Sequence, residues 1–150
     1  ENIFVSDGYL KVGDMGLARI AGDNMTAETG TYRWMAPEVI RHERYSFPCD
    51  VYSFGILLYE MLTVTVPFSK MSAVDVLFAV ARDGARPPLP PGVPEDMKVL
   101  MHLCWDGDPT QRPCFADVSC KIENILRKKL SFGALEMSGN VGLDHERLSM

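Results

Sequence analysis

Asp14 and Asn2 carry the oxygen atoms best suited to chemistry in this chain. Asp14 opens the triplet Asp14-Met15-Gly16 just after the short apolar run Leu10-Lys11-Val12, and Asn2 precedes the similar run Ile3-Phe4-Val5. If the two runs pair as strands, a carboxylate and an amide oxygen meet at one end of the ribbon. Mg²⁺ takes hard oxygen ligands of this kind, with substrate phosphates and water filling its other positions. A metal held there would neutralise charge on phosphate oxygens. Phosphoryl transfer depends on that positioning and neutralisation more than on covalent help from the protein. Asp-x-Gly is also a common plain turn at strand exits, and the triplet alone does not choose between the two roles.

The elements that must position these residues are legible in outline. Ser6-Asp7-Gly8-Tyr9 lies between the two apolar runs, and Asp-Gly is a strong hairpin signal. Residues 17 to 33 have no clear periodicity and are rich in Ala, Gly, Thr and Asn. A loop of that length is uncommon unless it is functional. Pro37 to Arg41 suits a short helix. Cys49 to Leu62 is apolar on nearly every side, the mark of a helix buried in the centre of a domain. Ser72 and Asp75 match a capping box that opens a helix, and Gly84 can close it. Five prolines between 87 and 94 predict an extended connector. Further helices are predicted from Glu95 to Trp105 and from Cys114 to about Leu130. The last carries Phe115, Val118, Ile122, Ile125 and Leu126 on one stripe. Beyond Leu130 the pattern dissolves, so residues 131–150 are expected to form a flexible tail and 1–130 a partial domain.

Composition narrows the function classes. The chain has 150 residues, 47% hydrophobic and 23% charged, as in ordinary globular domains. A net charge of −5 argues against binding a nucleic-acid backbone. No apolar run reaches the roughly 20 residues of a membrane helix. Cys49, Cys104, Cys114 and Cys120 show no Cys-x-x-Cys spacing, and His42, His102 and His145 form no ligand set. Free thiols in a reducing, cytoplasmic compartment are therefore expected.

Downstream of Asp14, the run Gly30-Thr31-Tyr32-Arg33-Trp34-Met35-Ala36-Pro37-Glu38 places Met-Ala-Pro-Glu 21 to 24 residues on (35 − 14 and 38 − 14). Together the two stretches resemble the activation segment of a eukaryotic protein kinase. Glu1-Asn2-Ile3 resembles the end of the family's catalytic loop. Cys49-Asp50-Val51-Tyr52-Ser53-Phe54-Gly55 resembles the start of its central helix. Cys104-Trp105-Asp106-Gly107-Asp108-Pro109-Thr110-Gln111-Arg112-Pro113 resembles the loop before its last helix. The likeness covers about residues 1 to 130 and points to the tyrosine-kinase-like group, nearest the Raf-like Ser/Thr kinases.

The resemblance implies an α+β fold, the mainly helical C-terminal lobe of a protein kinase opened by a short β-hairpin, with the N-terminal lobe absent. It implies ATP and Mg²⁺ as cofactors and a protein as substrate. Asn2 and Asp14 correspond to the two magnesium ligands, and through the metal to ATP. Thr31 corresponds to the substrate-loop threonine that hydrogen-bonds toward the catalytic Asp. Dedicated tyrosine kinases usually place a proline further along this loop, so Ser/Thr specificity is favoured. Asp50 corresponds to the residue that holds the catalytic-loop backbone. Glu38 and Arg112 correspond to a buried ion pair fastening the activation segment to the helical core. Thr26 and Thr29 are the candidates for regulatory phosphorylation, each equally readable as a solvated loop hydroxyl.

Three departures from the family pattern matter. Met15 stands where an aromatic usually follows the metal Asp, and Cys114 stands where Ser commonly caps the last helix. The 150 residues also contain no Gly-rich phosphate loop, no Val-Ala-Ile-Lys-type lysine, and no catalytic Asp, which is expected five residues before Asn2. The chain therefore reads as part of a Ser/Thr kinase, inactive alone. A non-catalytic pseudokinase-like binding module and a dual-specificity or tyrosine kinase are the alternatives.

Overall fold

A two-residue turn sets the register of the opening hairpin. Asp7 and Gly8 have φ of 54° and 79°, the pair of positive values a type I′ turn requires and Asp-Gly tolerates. The turn joins β1 (Ile3–Ser6) to β2 (Tyr9–Val12) in antiparallel pairing, Ser6 opposite Tyr9 and Ile3 opposite Val12. The computed structural model describes residues 2–13 and 32–139, with side chains through Ser131.

The helical part begins with a 3-10 turn at Tyr32–Trp34, followed by α1 (Pro37–Ile40) and α2 (Pro48–Thr63). Next come α3 (Ala73–Ala81), α4 (Glu95–Cys104), a second 3-10 turn at Pro109–Gln111, and α5 (Phe115–Gly139). Pro48 opens α2 at a position where a missing N–H costs nothing, and Asp50 sits in the first turn where the helix dipole favours a carboxylate. The helix ends at Val64, whose φ of 51° is left-handed and whose N–H bonds back to the Glu60 carbonyl at 2.8 Å.

As its apolar composition predicts, α2 is the centre of the core. Val51, Tyr52, Ile56, Leu58 and Tyr59 are buried against Val76 and Val80 of α3, Leu100, Met101 and Cys104 of α4, Trp105, and Val118 of α5. Helices α2 and α4 pack closely at Gly55, where a Cβ would stand 2.8 Å from the Cys104 Cβ. The Ser72 cap forms as expected, its hydroxyl oxygen accepting from the Asp75 N–H at 3.2 Å.

The last helix departs from expectation. Its backbone stays helical to Gly139 instead of giving way to a tail at Ser131. Ala134, Leu135, Glu136 and Met137 are good helix formers, and backbone hydrogen bonding needs no apolar stripe. The predicted stripe is also only partly buried. Val118 is in the core, Ile122 and Ile125 lie against it, and Phe115 and Leu126 are exposed. Among the described residues no helix is long and apolar enough to cross a membrane.

Candidate functional site

Pro37 turns the chain from extended Ala36 into α1, since its fixed φ suits the first helical position. That short helix carries Glu38 into the protein. There the two carboxylate oxygens accept from the two terminal nitrogens of Arg112, at 2.6 and 2.8 Å. The side chains are 3% and 0% exposed. Arg112 also donates from Nε to the Asp106 carbonyl at 2.9 Å and from a terminal nitrogen to the Pro48 carbonyl at 3.0 Å. A planar fork that stays charged when desolvated suits such a site. One side chain thus ties α1, the start of α2 and the loop after α4 together.

Tyr52 forms the floor of this cluster. The guanidinium carbons of Arg86 and Arg112 lie 5.0 and 5.1 Å from its ring centroid, within cation–π range. Arg86 reaches there while donating to the Trp105 carbonyl at 2.7 Å. Among the described residues the buried Tyr52 hydroxyl has no hydrogen-bond partner. Burial pushes its pKa up to about 12, against the pull of the two arginines. Burial, reinforced by Asp50, likewise lifts the Cys49 thiol to about 12.

The stretch before Glu38 is held from two sides. Ser53 of α2 donates its hydroxyl to the Trp34 carbonyl at 2.7 Å, and the Trp34 indole donates to Glu60 at 3.1 Å. Arg33 donates to the carbonyls of Pro67, Phe68 and Met71 in the connection between α2 and α3. Arg33 and Arg86 were not found by sequence reasoning. Their partners are backbone carbonyls, which leave no mark in residue types.

The metal-type residues divide between described and undescribed parts. Asn2 is exposed beside β1, and its carbonyl accepts from the Gly13 N–H at 2.9 Å. The hairpin therefore sets Asn2 across from the residue that immediately precedes Asp14. Asp14 itself, with Thr26, Thr29 and Thr31, lies outside the described residues. Asp50 is exposed at the start of α2, with the Cys49 thiol donating to it at 3.8 Å. Cys114 donates its thiol to the Asp117 carboxylate at 3.2 Å, across the opening turn of α5. Among the described residues no three His, Cys, Asp or Glu side chains gather to hold a metal, and all four cysteines are free.

Comparison with known proteins agrees with this geometry. The family model for protein tyrosine and serine/threonine kinases matches residues 1–122. The chain is 38% identical over 136 residues to serine/threonine-protein kinase STY46 of Arabidopsis thaliana, covering 89% of this chain and 24% of that protein. It is 39% identical over 153 aligned positions to human mitogen-activated protein kinase kinase kinase 10, covering 97% of this chain and 16% of that one. Against serine/threonine/tyrosine-protein kinase HT1 of Arabidopsis thaliana it is 40% identical over 129 residues, covering 81% and 32%. The chain spans about a third or less of the length of these relatives.

Proposed function

The chain belongs to the protein tyrosine and serine/threonine kinase family, and from that premise we propose that it supplies the C-terminal-lobe part of a serine/threonine protein kinase, moving a phosphoryl group from ATP to protein hydroxyls. The observation that carries the reading is the buried Glu38–Arg112 pair. It fastens the end of the 14–38 segment to the helical core, as a loop that presents an acceptor hydroxyl requires. Residues 1–130 are the kinase part, and the protein acts in a reducing, cytoplasmic setting.

Asn2 and Asp14 are the residues that would hold Mg²⁺. An amide oxygen and a carboxylate suit an ion that keeps phosphates and water in its remaining positions, and the Asn2 carbonyl pairs with Gly13, the residue before Asp14 in sequence. When bound, the metal neutralises charge on the ATP phosphates. The protein's own contribution is positional. Thr31 lies one residue before the anchored turn and orients the acceptor side of the site, while Asp50 holds the catalytic-loop backbone. Thr26 or Thr29 is the candidate phosphorylation site, where a phosphate would order the segment by pairing with basic side chains. Thr31 followed by Tyr32-Arg33-Trp34 supports serine/threonine preference. The name of the HT1 relative supports dual specificity as the second reading.

The test is Asp14→Asn in the protein that carries this chain with its phosphate-loop and lysine parts. Activity with ATP and casein should fall at least about a hundredfold, with unchanged circular dichroism. Loss of less than about tenfold would reduce Asp14 to a turn residue. The 150 residues alone should transfer no phosphate, because they lack the positioning groups named above.

A further inference from the structure

Arg33 is a charged residue that the kinase reading leaves unused. Its guanidinium donates from one terminal nitrogen to the Pro67 carbonyl at 3.0 Å and to the Phe68 carbonyl, and from the other to the Met71 carbonyl at 3.0 Å. Among the described residues it makes no ion pair. Three carbonyls turned toward one point repel one another unless a cation stands between them. Their convergence needs an unusual backbone, and Phe68 supplies it with a left-handed φ of 52°, which non-glycine residues seldom adopt. The Phe68 carbonyl also closes its own turn by accepting from the Met71 N–H at 2.9 Å. The connection between α2 and α3 is thus shaped around Arg33.

The same 3-10 turn is held on its other side by α2, through Ser53 to the Trp34 carbonyl and Glu60 to the Trp34 indole. Tyr32 is the first residue of this doubly held turn. Resting on the kinase reading above, we infer that Arg33 is a positioning residue for the acceptor. By locking the Tyr32–Trp34 turn to the 67–71 backbone, it fixes one wall against which the acceptor polypeptide lies, without touching ATP or the reacting atoms. The role needs charge and a fork that spans two directions, so lysine can serve it only in part.

Two measurements test this. Steady-state kinetics in the complete kinase, with dephosphorylated casein as acceptor, compare wild type, Arg33→Met and Arg33→Lys. The expected result is a casein KM raised about tenfold in Arg33→Met, with the KM for ATP within about twofold, and Arg33→Lys between. An unchanged casein KM overturns the inference. So does an equal rise in both KM values, which marks general loosening of the fold. Amide exchange in the protein gives the second readout. The Met71 amide should exchange faster in Arg33→Met, with the Leu100 and Met101 amides of α4 unchanged; equal exchange at Met71 overturns the latch even where kinetics change. A wild-type protein that phosphorylates no acceptor overturns the kinase reading and this role together. The exchange result then shows separately whether the latch exists.

Discussion

Glu38 and Glu43 are five positions apart, yet the structure predicts very different costs for losing them. Glu38 is buried and bidentate with Arg112. Glu43 is exposed and bidentate with Arg41, at 2.7 and 2.9 Å, where water competes for both partners. Arg41 still draws the Glu43 carboxyl below its ordinary value, chiefly by that hydrogen bond. Glu38→Ala strands a guanidinium in the interior and should cost about 3–5 kcal/mol. A whole domain has only about 5–15 kcal/mol to lose, so this variant should unfold far below wild type or fail to fold. Glu43→Ala should cost no more than about 1 kcal/mol. Thermal or urea unfolding of the two variants checks the contrast, and equal destabilisation would refute it.

The helices make their own predictions. Alanine normally improves a helix over glycine by about 1 kcal/mol, so Gly55→Ala would stabilise an isolated α2. In the protein the new methyl would stand 2.8 Å from the Cys104 Cβ and 3.4 Å from the Trp105 nitrogen. Neither a Cβ nor a backbone atom can swing aside, so α4 must move. Overpacking of this kind costs about 1–3 kcal/mol and outweighs the propensity gain. Gly55→Ala should lower the urea midpoint; a higher midpoint would show that α2 and α4 separate freely. At the start of α5, the Cys114 thiol reaches the Asp117 carboxylate. A serine hydroxyl there is a much better acceptor for the free N–H groups of the first turn. Cys114→Ser should add about 0.5–1 kcal/mol, seen as a higher Tm.

At the scale of the whole molecule, burial governs the response to alkali. It raises Cys49 to about 12, Tyr52 to about 12 and Cys104 to about 11, from ordinary values of 9.0, 10.0 and 9.0. Each group stays neutral in the fold at a pH where the unfolded chain has begun to ionise. The folded state then holds more protons than the unfolded one, so stability is complete below about pH 9 and declines as pH rises toward about 12. Tm measured from pH 7 to 11 should hold steady and then fall from about pH 9. A flat profile to pH 11 would mean these groups ionise in place. Burial also divides the thiols: at pH 8 a disulfide reagent should modify exposed Cys114 and Cys120 quickly, half-buried Cys49 more slowly, and buried Cys104 only on unfolding.

Much of this architecture is local, and local features are legible in residue order. Asp7-Gly8 sets a two-residue turn because few other pairs accept two positive φ values. Ser72 caps α3 because its hydroxyl reaches an N–H three residues on. An apolar α2 has nowhere to go but the centre. The pairing of Glu38 with Arg112 came from family resemblance, since nothing near either residue marks a partner 74 positions away (112 − 38). What only the tertiary structure decided is the set of arginines that bind backbone. Arg33 is shaped to three carbonyls beyond α2, and Arg86 to one carbonyl and the face of Tyr52. A carbonyl exists at every residue, so its availability depends on the path of the chain and not on side-chain type. Patterns of residue type therefore disclose where this protein turns and what it buries, while the contacts that hold its candidate acceptor loop arise only once α2, α3 and α4 are packed.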